Sequence, residues 1–479
     1  MNHRELISGI DINRKLLPKK YHIESWTNGS LKSSLLINPD SILVYGNIGI
    51  WVTDSAYQEY RSLNAGFKRG MDMHKIYDVH LAGDGNLYAA SHFGLFSFDT
   101  KEKRWIQFPL DVENKRFVAI ESRGDTIYAL NRSYLFKGTS DGIRTSFSKI
   151  ELPPDINYKD EVGLFETIWQ IHSGEIFGIP GKIYVDILGL ITIFLSLTGI
   201  IYFFFPRWIK RRKKRDTKSK RIIEVNRWSL SWHNRIGAWV FAFLAILFFT
   251  GMFLRPPLLI AIANARIKAL PYTHLDQANP WYDKLRDILY DKQKGLFLLS
   301  TSEGMFYMSV DNNQPVKYSS QPPVSIMGIN TLEKINDHEY MVGSFSGLFR
   351  WNPDTPAVYN IISGQIYNEP AAGKPIGDTK VSGTFRDPRG RLFLVDYDNG
   401  VIPLHKRESD FPSMPGNISE VSGISLWNLA LEFHTGRIFE PLLGALYVLL
   451  VPLTGLTAFV VVLSGYLLRR KRLKSKNKK

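Results

Sequence analysis

Two histidines sit in the same short sequence at two distant places. Ile171-His172-Ser173-Gly174-Glu175-Ile176-Phe177 is the first copy, and Phe433-His434-Thr435-Gly436-Arg437-Ile438-Phe439 is the second. Each copy runs into a long apolar stretch carrying a Gly and a Tyr: Gly181 and Tyr184 in one, Gly444 and Tyr447 in the other. A neutral imidazole is a good metal ligand, and an ionisable group held at membrane depth is costly and tends to be functional. Two such histidines at one depth read as a pair of ligands. The plainer alternative is an internal duplication whose histidines only cap helices at the membrane surface. A third histidine, His233 in Trp232-His233-Asn234-Arg235-Ile236-Gly237, stands at the opposite end of another apolar run. The chain has no cysteine, which excludes disulfides, Fe–S ligation and covalently attached haem; any haem would be b-type.

The elements that position these residues are membrane spans. Residues 184–205, 236–254 and 441–468 are apolar almost throughout, with Asp186 the one charge in the first. Each is long enough to cross a hydrocarbon core of ~30 Å as a helix, the form in which backbone groups bond internally. Charge orients them. Residues 207–235 carry 12 Lys/Arg against Asp216 and Glu224, and residues 469–479 add 8 with no acid. These two segments hold a net +18, more than the +15 of the whole chain, so the remainder is mildly acidic. Basic clusters beside spans stay in the cytoplasm. The runs are short and lack aromatic interleaving, which argues against nucleic acid and leaves membrane lipid as their partner. The first span then runs from outside to inside, the second returns, and the third ends inside. The opening Met1-Asn2-His3-Arg4-Glu5 offers no apolar export signal. The expectation is therefore a preceding helix absent from this chain, giving four spans in the complete protein.

A second repeat fills the outer segments. Its copies are Asn47-Ile48-Gly49-Ile50-Trp51, His92-Phe93-Gly94-Leu95-Phe96, Ser302-Glu303-Gly304-Met305-Phe306, Phe345-Ser346-Gly347-Leu348-Phe349 and Asp398-Asn399-Gly400-Val401-Ile402, with Arg132-Ser133-Tyr134-Leu135-Phe136 a weaker sixth. The glycines recur after 45, 43 and 53 residues within the two segments. Short strands at a period near 40–50 suggest propeller blades, with Gly supplying the positive φ of a hairpin turn. Three blades precede the first span and three lie between the second and third. One six-bladed ring closes the sheet edges better than two open halves, with two separate sandwiches as the alternative. The stretches Phe93-Gly94-Leu95-Phe96-Ser97-Phe98-Asp99 and Ser346-Gly347-Leu348-Phe349-Arg350-Trp351-Asn352 resemble the short propeller repeats of periplasmic sensor proteins. His74, His80 and His92 lack a tight ligand spacing and read as strand or surface residues.

The membrane part resembles the PepSY-associated transmembrane helix family of bacterial inner-membrane proteins. The resemblance rests on the H-[S/T]-G-x-I-F motifs at His172 and His434, the helix start at His233, and the pairs Thr198-Gly199, Thr250-Gly251 and Thr454-Gly455. It covers about a third of the chain. Asn2-His3 resembles the outer end of the family's first helix, which adds His3 to the candidate cofactor ligands. No PepSY domain is evident; the propeller repeat takes its place. Some members resemble haem-carrying reductases that release iron from siderophores, so the resemblance implies haem b, held by His172 and His434 outside and by His233 and a histidine of the absent helix inside. The Thr-Gly pairs on their own read as small-residue packing.

The expected fold is a membrane α-helical bundle plus an all-β periplasmic domain, a six-bladed β-propeller split across two segments. The expected layout is 1–9 as the end of a missing helix, 10–165 and 265–425 as the propeller halves, 166–206 as the His172 helix and first span, and 207–235 as a cytoplasmic loop. Residues 236–264 form the second span with an outer interfacial segment, 426–468 the His434 helix and third span, and 469–479 a cytoplasmic tail. Two function classes follow. One is a haem-dependent electron-transfer protein of the inner membrane, a ferric or metal reductase acting on a periplasmic acceptor such as siderophore iron. The other is a sensor or accessory protein whose propeller binds a ligand or partner without redox chemistry. The topology has a direct test: a cysteine placed at Ser219 is expected to escape an impermeant reagent in intact cells, and labelling there would refute the orientation.

Overall fold

The computed structural model describes residues 4–140, 145–214, 220–309, 312–325, 328–367, 376–404, 411–420 and 423–476. It divides into two compact units. One holds Lys159–Ala278 and Ala430–Lys479, the other His3–Tyr158 and Asn279–Leu429.

The second unit is the propeller. Among the described residues it contains six antiparallel sheets, five with four strands and the last with three. Strand order within each sheet is the chain order, so every blade is a meander. The innermost strands are Ser33–Asn38, Ile76–Leu81, Phe117–Arg123, Leu285–Asp291, Ile329–Lys334 and Val381–Arg386. Each neighbours the next, and the last returns to the first, closing the ring. The repeat glycines make the turn between the second and third strands of their blades; Gly49, Gly304 and Gly400 have φ of +91°, +123° and +79°. The third blade turns without one, from Leu130 to Leu135.

Closure happens at two seams. At the first, the opening and closing blades share a core of Trp26, Leu31, Trp51, Phe385 and Phe393. Backbones approach so closely there that a Cβ on Gly383 would lie 1.8 Å from the Lys32 carbonyl oxygen. At the second seam the chain has left for the membrane and come back. Leu130, Leu135 and Leu152 from before the excursion pack on Trp281, Leu285 and Phe297 from after it. Polar contacts bind the same seam: Trp281 Nε1 donates to the Pro153 carbonyl at 2.9 Å, and Arg132 pairs with Asp283 at 2.7 Å.

Two expected boundaries shift. Residues 4–9 belong to the propeller unit: Arg4–Ile7 forms one helical turn, with Glu5 paired to Lys68 at 3.0 Å and Lys115 at 2.8 Å. Residues 159–165 and 265–278 belong to the membrane unit, where Glu161–Gly163 pairs with Arg266–Lys268.

Among the described residues, the membrane unit has three helical stretches long and apolar enough to cross a bilayer: Glu175–Lys213, Lys220–Met252 and Arg437–Arg470. The second packs against both others. Phe241 stacks on Tyr466 with ring centres 3.7 Å apart, and Tyr184 meets Phe243 edge-on at 5.3 Å.

Leu285 is fully buried at the second seam, whereas Leu36 is 52% exposed on an inner strand. Leu285→Ala is expected to cost about 2–5 kcal/mol and Leu36→Ala well under 1 kcal/mol, read as thermal or denaturant midpoints of the purified protein.

Candidate functional site

Each histidine of the duplicated motif stands at the end of a short helix stopped by a left-handed glycine. His172 lies in Leu164–Ser173, capped by Gly174 at φ +79°. His434 ends Leu426–His434, and Gly436 follows at φ +72°. Glycine enters this region at no steric cost, so the helix ends, a 3₁₀ turn follows and the span begins. The sequence repeat is thus a repeat of backbone geometry. It also sets the histidines just ahead of the spans that open at Glu175 and Arg437, rather than within them.

The two imidazoles face each other with ring centres 5.9 Å apart and planes at 45°. A metal bonded to one nitrogen of each at about 2.0 Å would put the ring centres roughly 6 Å apart. The Leu247 carbonyl lies 3.0 Å from His172 Nδ1, with Thr250 Oγ1 at 3.4 Å. A carbonyl only accepts, so Nδ1 carries the proton and Nε2 keeps its lone pair for a metal. Burial, then the proximity of His434, pushes the His172 pKa down to about 4, which keeps the ring neutral. His172 is half-buried and His434 exposed, so the pair has an open side.

The second span reaches His172 at Gly251, where a Cβ would lie 2.8 Å from the ring Cε1. A similar arrangement occurs nearer the middle of that helix. His233 Nδ1 is 2.9 Å from Thr198 Oγ1 on the first span. The Thr198 hydroxyl lies 2.9 Å from the Phe194 carbonyl, to which it can donate, and it then accepts from Nδ1–H. With its proton on Nδ1, the His233 ring keeps a lone pair on Nε2. His233 lines a cavity of about 370 Å³ together with Gly199, Gly237, Gly465, Tyr466 and Arg469. Gly199, Gly237 and Gly465 come one from each span, and three residues without side chains leave the space open.

Two of the three Thr-Gly pairs are therefore more than packing. Thr250-Gly251 receives His172 and Thr198-Gly199 receives His233. Thr454-Gly455 does behave as small-residue packing: a Cβ on Gly455 would come within 2.6 Å of Met252 Cγ. His172 and His434 are brought together; His233 stands apart from them, about 25 Å from Thr250 along its own helix at 1.5 Å per residue. His3 lies outside the described residues. Of the strand histidines, His92 is buried and bonded to the Tyr77 hydroxyl at 2.8 Å, and His80 bonds Ser122 at 2.9 Å.

Among the described residues no group of three or more His, Cys, Asp or Glu could hold a metal ion. Two facing histidines alone are too few ligands for a bare structural ion. Two neutral imidazoles could serve a cofactor that brings further donors of its own.

The sequence profile of the PepSY-associated TM region matches residues 205–472, more than half of the chain. No curated protein matches the sequence. Among solved structures, the extracellular domain of BT4673 from B. thetaiotaomicron aligns at TM-score 0.38 and 11% identity, over 84% of this chain and 36% of that one. PorZ, a surface component of the type-IX secretion system of Porphyromonas gingivalis, aligns at TM-score 0.31 and 11% identity, over 78% and 31%. The chain thus spans about a third of the length of these structures.

Gly251→Val must displace His172, whereas nothing lies within 4 Å of a Cβ at Gly189. Gly251→Val is expected to lower stability in detergent by about 1–3 kcal/mol and Gly189→Val by much less, measured by melting of the purified protein.

Proposed function

Because the chain belongs to the PepSY-associated TM region family, we propose that it is a haem b electron-transfer protein of the bacterial inner membrane, with its propeller in the periplasm. The observation that carries this reading is the facing pair His172 and His434, 5.9 Å between ring centres, with Nδ1 of His172 fixed on the Leu247 carbonyl. His172 and His434 would hold the haem iron of the outer site. His233, in its glycine-lined cavity, would be one ligand of an inner site. The charge rule supports a cytoplasmic loop and C-terminus, since the segments 207–235 and 469–479 are strongly basic.

When bound at both sites, haem supplies one-electron carriers between the inner side and a periplasmic acceptor, such as iron chelated by a siderophore. The protein's own part is to fix the ligands. Leu247 and Thr250 hold the His172 tautomer, and Thr198 holds that of His233. A carbonyl or hydroxyl on the far nitrogen raises the basicity of a ligating imidazole and sets its ring plane. Gly251 lets the second span come close enough to His172 for its bonds to form. Phe433 meets Phe439 edge-on at 6.2 Å, adding apolar cover beside His434.

The test is optical. The intact protein from iron-replete cells is expected to show a Soret band that sharpens and shifts on reduction. His172→Ala and His434→Ala should each leave a five-coordinate or empty outer site and change that spectrum, while His338→Ala, in an exposed turn of the propeller, should not. A colourless intact protein, or an unchanged spectrum in both axial variants, would refute the redox reading in favour of a ligand-binding sensor.

A further inference from the structure

The innermost strands of the propeller run in one direction and bring their first residues to one end of its axis. The residue immediately before the strand is a cation in five blades of six: Lys32, Lys75, Arg116, Lys284 and Lys380, with Gly328 the exception. Three of these cations are neutralised. Lys75 pairs with Asp72 at 2.5 Å, Lys284 with Glu303 at 3.1 Å, and Lys380 with Asp398.

Lys32 and Arg116 are not. Among the described residues neither side chain makes a hydrogen bond or an ion pair. Both are held against one aromatic ring, with Lys32 Nζ 4.8 Å and Arg116 Cζ 4.5 Å from the centre of Tyr77. Arg116 Nε is buried without a partner. The Tyr77 hydroxyl is taken up by His92 Nδ1 at 2.8 Å. Arg4 is close enough to Arg116 and Tyr77 to feel their charge, and its guanidinium lies 4.1 Å over Trp427.

Among the described residues the nearby acids form no ion pair with either cation. Asp78 is occupied by the Tyr45 hydroxyl at 3.2 Å and the Ile120 amide at 2.8 Å. Burial, then Asp78, pushes the Asp287 pKa well above the usual carboxylate range. Burial, then Arg116, pulls Lys32 down to about 8 against the attraction of Asp287 and Asp78. A guanidinium offers a planar fork of donors, and leaving it unmatched in a partly closed site is unfavourable.

We propose that this end of the propeller axis is a receptor for a small oxyanion, a carboxylate or phosphate group seated between Lys32 and Arg116 beside Tyr77. The inference rests on the propeller alone and is independent of the haem reading. It gives the domain a ligand class.

The test uses the full-length protein in detergent, in a low-ionic-strength buffer with chloride as the only other anion. Citrate and inorganic phosphate are titrated separately by calorimetry. Saturable binding of one probe per chain is expected, weakened about tenfold or more by Arg116→Gln and by Lys32→Gln, since a charge-assisted bond is lost in each. Arg116→Lys should retain most of the affinity, and Lys101→Gln, on the outside of the second blade, all of it. Citrate binding alone identifies a carboxylate ligand and phosphate binding alone a phosphate ligand. The absence of saturable binding by either probe at millimolar concentration, or binding that survives both Gln variants in proteins that melt like the parent, overturns the proposal.

Discussion

Everything in the propeller depends on a seam that must form between two parts of the chain separated by two membrane spans. Leu130, Leu135 and Leu152 share one buried cluster with Trp281, Leu285 and Phe297. Without that burial the third and fourth blades would each present an open face, and a ring of stacked sheets gains its stability only when every face is covered. The polar contacts there, from Trp281 to Pro153 and from Arg132 to Asp283, fix the register of a joint whose driving force is apolar. The Gly383 approach to Lys32 does the same at the opposite seam by removing a side chain rather than adding one.

In the bundle the corresponding constraint is closeness. The second span carries His233 near its middle and receives His172 near its C-terminal end; a threonine meets the imidazole in both places, and Gly251 makes room for His172. Threonine back-bonded to its own helix keeps a lone pair for the imidazole proton; glycine gives the ring a place to lie. Histidines so fixed hold one tautomer.

Much of this was legible in the residues. The five glycine turns and their spacing announced blades, because a positive φ at a fixed place in a hairpin leaves few residues to choose from. The paired H-[S/T]-G motifs announced a matched pair, and the structure turns them into matched helix ends. Other features were not legible. Nothing in Leu247 marks it as the acceptor for a histidine far away in sequence, since a backbone carbonyl has no residue type. Thr198 and Thr454 sit in the same dipeptide, yet only one meets a histidine, because depth and rotation about the helix axis decide the partner. The row of cations before the inner strands shows itself only once those strands are known to be parallel neighbours around an axis. The assignment of 4–9 to the propeller needed Arg4 on Trp427 and Glu5 between two lysines, contacts that span most of the chain.

The placement of the two spans between the third and fourth blades also sets an order of events. A ribosome finishes the first three blades, then two spans, before it reaches Trp281, and the sixth blade's inner strand is complete only at Arg386. Through that interval half a ring stands with two sheet faces uncovered. Contacts of such long sequence separation form slowly, and uncovered strand edges invite wrong partners. Nascent chains of this protein are thus exposed to aggregation and proteolysis for as long as the excursion takes to synthesise and insert, and their yield is tied to the speed of membrane insertion as much as to the stability of the finished fold.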